Sequence, residues 1–276
     1  MKPKAIAADT LEIMKKGSYK NKNGKTVNIA SLLDRSLSGT QLYTPEELEH
    51  ITYGNTGKYA TQYEVNNETT LDAVRRLVAD GERVLCLNFA SAKNPGGGFL
   101  GGAVAQEESI ARASGLYPTL LKGEAYYKFH RAQDTCLYSD HMIYSPDVPV
   151  FKYENGDLMD EAICVSVITS PAANAGAILR NEPGNTSRIE PVMRIRTEKV
   201  LALSAQYQHE VLVLGAWGCG VFRNDPVMIA GLFEELLGGK FKGTFKKVVF
   251  AVKTNNEAML EAFSSRFKSC LYESDR

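Results

Sequence analysis

The sequence has no surplus of charge of either sign: 32 basic side chains balance 32 acidic ones, for a formal net charge of zero. That balance argues against the broad, sequence-independent grip on DNA that a basic chain exerts, while leaving room for a local site for an anion. No run of roughly 18 apolar residues occurs, so no membrane-spanning helix is expected. The opening stretch MKPKAIAADTLEIMKKGSYK lacks a continuous apolar core followed by a small-residue cleavage site, so no secretory signal is read there. Cysteine is sparse. The five residues Cys86, Cys136, Cys164, Cys219 and Cys270 are far apart, no C-x-x-C pair occurs, and His50, His130, His141 and His209 do not gather around them. Those absences remove zinc fingers, disulfide frameworks and thioredoxin-like redox sites. A reducing cytoplasm is the expected setting. Repeats, low-complexity tracts and long linkers are missing too.

What is present is an ordinary globular composition, 44% hydrophobic over 276 residues, enough for one large domain or two small ones. Residues 5–16 place Ile6, Leu11, Ile13 and Met14 at mixed helical spacing, with Gly17 as a stop. Residues 18–68 are polar and turn-rich, with a turn signal at Asn23-Gly24. Residues 1–68 therefore read as a mainly helical and loop extension packed on a domain spanning 69–276. That domain opens with a helix over 69–80, capped by Thr69 or Thr70, with Leu71, Val74 and Leu77 on one face and Gly81 as its end. Four short apolar runs read as buried strands: Arg83–Ala90, Ala162–Thr169, Val211–Ala216 and Lys247–Val252. Helical patterns at about 106–114, 193–208, 226–237 and 256–267 alternate with them. Strands alternating with helices define an α/β architecture, a sheet covered on both faces.

Ligands of such sheets bind in loops beyond the carboxyl ends of the strands. Three of the four strands run into unusual loops, SAKNPGGGFLGGAVAQEE, SPAANAG and WGCGVFRNDP, whereas the fourth runs into KTNNE. The chemistry is expected where the first three converge. The first holds Gly96, Gly97, Gly98, Gly101 and Gly102. Glycine lets a ligand approach the backbone, and a glycine loop entering a helix presents free N–H groups to phosphate. Neither a Walker loop nor a dinucleotide fingerprint fits the pattern. Gln106-Glu107-Glu108 follows at a helix start. One acidic residue there is commonly a helix-dipole partner. Two adjacent carboxylates ask for more, because like charges raise one pKa and give an acid that keeps its proton near neutral pH, the group that work on a glycosidic bond needs. In the third loop Gly218 and Gly220 flank Cys219, and Asn224 or Asp225 caps a helix beginning at Pro226. Its successive N–H groups suit a diphosphate. Phe222 suits a sugar ring or base, or else the core. Cys219 reads as a small buried residue rather than a nucleophile.

Gly96-Gly97-Gly98, seven residues, then Gln106-Glu107-Glu108 resembles the signature of the poly(ADP-ribose) glycohydrolases. LNFASAKNPGGGFLGGAVAQEESIARASGLY, IYSPDVPVF, VITSPAANAG and GAWGCGVFRNDP resemble the microbial branch, as do ADTLEIMKKGSY and TTLDAVRRL, so the likeness runs over nearly the whole chain. The resemblance implies a macrodomain-like mixed β-sheet sandwiched between helices, with an N-terminal extension. It implies hydrolysis of the ribose–ribose O-glycosidic bonds of poly(ADP-ribose), with ADP-ribose as product and ADP-ribosylated proteins as substrates. By match to the motif, Glu108 is the acid/base and Glu107 holds a ribose hydroxyl at the scissile bond. Asn94 binds the terminal ribose with the glycine loop and Gln106 around it. Gly218, Cys219, Gly220 and Val221 wrap the diphosphate, and Phe222 orients the terminal ribose. No cofactor or metal is implied, and no membrane or general DNA binding. One departure is Ala173, which stands where many relatives are expected to carry proline. Two other readings compete: a macrodomain that binds ADP-ribose without cleaving, and a nucleotide-binding α/β enzyme outside this family. The acidic pair separates the hydrolase from the reader, which does not require it. A thermal-shift panel of ADP-ribose, ATP and NAD separates the last.

Overall fold

A computed structural model describes residues 2–54 and 57–267; Cys270 lies outside them. Helix α1 (Pro3–Lys16) ends at Gly17, whose φ of 67° turns its N–H back to the carbonyls of Ile13 and Met14. A small antiparallel hairpin follows, β1 (Ser18–Lys20) and β2 (Thr26–Asn28). Its Asn23-Gly24 turn is held by Asn21 Oδ1, which accepts the N–H groups of Asn23 and Lys25. Next come α2 (Ala30–Gly39), β3 (Gln41–Tyr43), α3 (Pro45–Glu49) and β4 (Gln62–Asn66). Thr69 then caps α4 (Thr70–Ala79) in a reciprocal box with Asp72. The rest alternates: β5 (Val84–Phe89), α5 (Gln106–Ala113), α6 (Leu116–Lys122), α7 (Glu124–Arg131), the hairpin β6 (Met142–Lys152) and β7 (Leu158–Ser170), α8 (Ala175–Asn181), α9 (Ile189–Gln206), β8 (Val211–Leu214), α10 (Pro226–Gly238), β9 (Lys247–Ala251) and α11 (Glu257–Ser264).

Seven strands form one mixed sheet in the order β3-β6-β7-β5-β8-β9-β4. Strands β7, β5, β8, β9 and β4 run parallel, β6 runs antiparallel to β7, and β3 antiparallel to β6. Side chains alternate between two cores, as the pleat requires. Leu85, Leu87, Leu212, Leu214, Val248 and Phe250 face α9, α10 and α11, packing against Leu201, Phe233 and Phe263. Val84, Cys86, Val211, Val213 and Val249 face the other way, against Leu71, Val74 and Leu77 of α4 and Ile110 of α5. Each large side chain so buried contributes about 1.5–3 kcal/mol. This is the mixed sheet sandwiched by helices that the resemblance implied.

Residues 1–68 hold more than an extension leaning on the core. They contribute both edges of the sheet, β3 beside β6 and β4 beside β9. An edge strand pairs on one side only and keeps polar residues, so QLY and QYEVN carry little apolar signal. β6 is a third strand absent from the sequence reading. Its run contains Pro146 and Pro149, and the pairing with β7 shifts register between Ser145 and Val148, where Asp147 takes φ 46°. A bulge is where a strand accommodates proline.

A buried knot ties α1 to the rest. Lys152 Nζ, fully buried, binds Asp9 Oδ2 at 2.7 Å, Thr10 Oγ1 at 2.9 Å and the Ile6 carbonyl at 3.2 Å. Thr10 in turn donates to the Arg112 carbonyl on α5. Ala7 of α1 packs on Phe99 and Ala111, so this helix backs the glycine-rich loop directly.

Candidate active site

The loops at the carboxyl ends of the strands surround a cavity of about 780 Å³. Its wall takes Asn94, Gly97 and Gly98 from the first loop, Glu107 and Glu108 from α5, and Gly218, Gly220, Val221 and Phe222 from the loop after β8. The SPAANAG loop contributes only Ala172, whereas the loop after β9, expected to stand aside, lines the wall through Val252, Lys253 and Thr254. Glu68, Thr69 and Thr70 ahead of and within α4 complete that end. The loops lie past the carboxyl ends of parallel strands, where ligands of such sheets bind.

Gln106 sets the start of α5. Its Oε1 accepts the Phe89 N–H at 2.8 Å, and its Nε2 donates to the Leu87 carbonyl at 2.7 Å and to Thr70 Oγ1 at 3.1 Å. Both amide protons are therefore used inside the protein, and Gln106 acts as a tie between β5, α4 and α5 rather than as a donor to substrate. The two glutamates that follow are placed by this tie. Glu108 is half-buried, and its Oε1 accepts the Gly98 N–H at 2.9 Å. Gly97 beside it has φ 58°, and a Cβ there would lie 2.9 Å from Glu108 Cδ and 3.1 Å from Glu107 Oε2. A side chain at position 97 would displace both carboxyl groups.

Glu107 is 3% exposed. Its Oε2 accepts the Ser91 N–H at 2.7 Å, and its Oε1 accepts from Asn88 Nδ2 at 3.2 Å. Burial pushes its pKa up to about 8, and the Glu108 charge adds to this, against the opposing pull of the Ser91 amide, Asn88 and the Gly96 amide. The acid that keeps its proton near neutral pH is thus Glu107, with burial ahead of like-charge repulsion as the cause.

Asn94 is exposed on the wall; its N–H binds Ser91 Oγ at 3.1 Å and its carbonyl accepts from Gly97. Its carboxamide bonds to none of the described residues and is available to a ligand. Gly96 sits behind the wall, its carbonyl accepting from Phe99. The loop after β8 is folded around Asn224, whose Nδ2 donates to the carbonyls of Ala173 (2.7 Å) and Gly218 (3.1 Å). Gly218 has φ 73°, and a Cβ there would meet both Ala172 and Asn224. The N–H groups of Gly220, Val221 and Phe222 find no acceptor among the described residues, which makes a concavity suited to an anion. Cys219 is turned inward: its N–H bonds to the Ala216 carbonyl, its thiol packs in the core, and burial pushes that thiol up to about 12. It shapes the loop without joining the wall. Phe222 packs on the rim of the core, 6.3 Å from the Tyr138 ring, and also lines the cavity. Ala173 donates its N–H to Met193 Sδ at 3.3 Å, a bond that proline could not make.

The wall carries four acidic side chains, Glu68, Glu107, Glu108 and Glu154, against Lys253. An anion held here is held by backbone amides. Asn88 and Lys253 escaped the sequence reading, which named Thr70 only as a helix cap; of the two, Asn88 left a signal, a polar residue inside the apolar run RVLCLNFA. Among the described residues no cluster of three or more His, Cys, Asp or Glu could hold a metal ion, and no helix is long and apolar enough to cross a membrane.

Residues 7–153 match the family model of the microbial-type PARG catalytic domain. Among solved structures, the chain is 48% identical to the poly(ADP-ribose) glycohydrolase of Thermomonospora curvata, covering 96% of this chain and 99% of that one with a TM-score of 0.92. A structure of the same bacterium's enzyme bound to the inhibitor ADP-HPD aligns with 48% identity, the same coverage and a TM-score of 0.89. The poly(ADP-ribose) glycohydrolase of Deinococcus radiodurans in complex with ADP-ribose is 45% identical, with 86% and 97% of the two chains covered and a TM-score of 0.82. No curated protein matches the chain. A macrodomain-like sheet carrying a paired-glutamate cavity defines a glycoside-cleaving hydrolase. The chain belongs to the family of microbial-type poly(ADP-ribose) glycohydrolases.

Proposed function

We propose that this protein hydrolyses the ribose–ribose O-glycosidic bonds of poly(ADP-ribose), releasing ADP-ribose from chain ends, with Glu108 as the acid/base. The observation that carries this is the seat of Glu108. One oxygen is fixed by the Gly98 amide, and the carboxyl lies on the cavity wall over a position that only glycine fills. A group that must give and recover a proton in every turnover needs such reach, and Glu107, with both oxygens held by protein donors, lacks it. Glu108 gives its proton to the departing ribose oxygen as the anomeric C–O bond breaks through an oxocarbenium-like transition state. It then takes a proton from the water that attacks the anomeric carbon, which restores the acid. Neutral Glu107 holds a ribose hydroxyl and adds no second anion beside the substrate's own diphosphate. The free amides from Gly220 to Phe222 bind that diphosphate, and this remote binding energy keeps the sugar in place for reaction.

Chain-end cleavage suits a cavity of about 780 Å³, within the ~300–1,000 Å³ of sites for single small ligands. Poly(ADP-ribose) on modified proteins is the proposed substrate. A cytoplasmic setting is proposed as well, consistent with free thiols at Cys86, Cys136, Cys164 and Cys219. The test is Glu108→Gln, which keeps shape but cannot cycle a proton. Release of ADP-ribose from the polymer should fall by at least ~10²–10⁴, while ADP-ribose still binds. Near wild-type hydrolysis by this variant would falsify the assignment.

A further inference from the structure

Behind the two glutamates lies a polar group that the reaction scheme leaves unused. Asn88 sits in β5 among apolar residues with 0% of its surface exposed. Its Nδ2 lies 3.2 Å from Glu107 Oε1 and 3.2 Å from Oγ1 of Thr169, its register partner on β7. Its Oδ1 meets no donor among the described residues. An unmet buried acceptor is costly, so an apolar residue of this size would serve the core better unless the amide has a task.

We propose that Asn88 is a positioning residue for the hydrolysis: its carboxamide holds Glu107 in both protonation forms, with Nδ2 toward the carboxylate and, turned over, Oδ1 toward the carboxylic acid. The two ends of a carboxamide are nearly equal in size, and a threonine hydroxyl both donates and accepts. In the first arrangement Nδ2 donates to Glu107 Oε1 and to Thr169 Oγ1. In the second, Glu107 Oε1–H and Thr169 Oγ1–H both donate to Oδ1, whose two lone pairs suffice. Glu107 Oε2 keeps the Ser91 N–H, at 2.7 Å, in both. The proton arrives and leaves without the carboxyl group moving. The titratable groups that face Glu107 are Glu108 on α5 and the hydroxyls of Tyr126 and Tyr127 on α7. None of them is a cation, so the carboxylate is met by hydrogen-bond donors alone, and the Asn88 amide is the one side chain among them.

This inference rests on Glu107 being the sugar-holding partner of Glu108. Its test is the pH–rate profile of Asn88→Leu, similar in size and unable to hydrogen-bond, and of Thr169→Val, isosteric and expected to fold. Asn88→Leu removes the bonds to both forms of Glu107, but the one to the carboxylate is charge-assisted and the stronger of the two, so the alkaline limb should move up by about one pH unit, tenfold in proton affinity. Thr169→Val should move it the same way by less, because the amide stays but loses its own partner. In a Glu107→Gln background, Asn88→Leu should change kcat no further. A limb that stays at its wild-type pH in both variants, with only Tm lowered, makes Asn88 a core filler and overturns the proposal. If Asn88→Leu does not fold, Thr169→Val decides by the same limb. An unmoved limb alongside an inactive Glu108→Gln sinks this inference alone, whereas an active Glu108→Gln sinks the acid/base reading beneath it.

Discussion

Glu107 carries a cost of folding that depends on pH, and the sign of that dependence is the reverse of an ordinary acid's. Its proton is held more tightly in the fold, up to about 8, than at the ordinary carboxylate value near 4.3. Between those values the folded state binds the extra proton, so stability falls as pH rises through the window and levels off above about 8. Glu107→Gln removes the titration. The Tm of this variant relative to wild type should therefore climb from pH 5 to about pH 8 and level off above it; a constant difference would show that Glu107 is ionised throughout. Activity should decline in the same direction as the neutral form is lost. Phe222 is a different case. It is only half-buried, so Phe222→Ala should cost less than the ~3–5 kcal/mol of a full core truncation and should lower turnover more than it lowers Tm. A large Tm loss with turnover preserved would make it a core residue only. Both glutamates were singled out by type and spacing, yet which one keeps its proton was not legible, because burial at position 107 depends on Asn88 and Ser91 arriving from another element. Cys219 was legible as a buried residue, and the structure agrees.

At the scale of elements, α1 is the part that touches both the core and the chemistry. Its side chains pack on Phe99 and Ala111, and Gly102 (φ 91°) lies against the backbone of Lys4, so the glycine-rich loop has a helix behind it. The knot at Lys152 holds this helix down. Breaking it is asymmetric. Asp9→Ala leaves a buried ammonium without its carboxylate, a change of the kind that costs ~3–5 kcal/mol. Lys152→Met removes the buried charge itself and leaves Asp9, 45% exposed, to water. Asp9→Ala should therefore lower Tm more than Lys152→Met, and both should speed amide exchange through residues 3–16 and reduce hydrolysis. Equal Tm losses would mean that the buried charge is not the issue. The amphipathic α4, with its Thr69 cap, and the strands β5, β8 and β9 stood out because capping and apolar runs are local signals. β3, β4 and β6 did not, because an edge pairs on one side only and a bulge conceals the period.

For the molecule as a whole, a ligand that binds only the folded form must stabilise it. ADP-ribose at ~100 times its dissociation constant should add about 2.7 kcal/mol, read as a rise in Tm; no rise at millimolar ADP-ribose would count against the cavity as its site. The sole tryptophan, Trp217, lies on the cavity wall and is fully buried, so its fluorescence offers a second reading of the same event. The outer borders of the sheet carry one more consequence. β3 finds its partner some hundred residues onward, at Met142–Tyr144, and β4 must reach Lys247–Ala251. A ribosome delivers these strands early and their partners late. The nascent chain therefore holds β4 unpaired until nearly all of the described fold has been made, and such long-range pairing is slow once begun. Pulse-labelled amides of Gln62–Asn66 should gain protection among the last in refolding. On the ribosome, that strand waits as an open edge whose polar residues Gln62, Glu64 and Asn66 disfavour pairing with a neighbouring nascent chain.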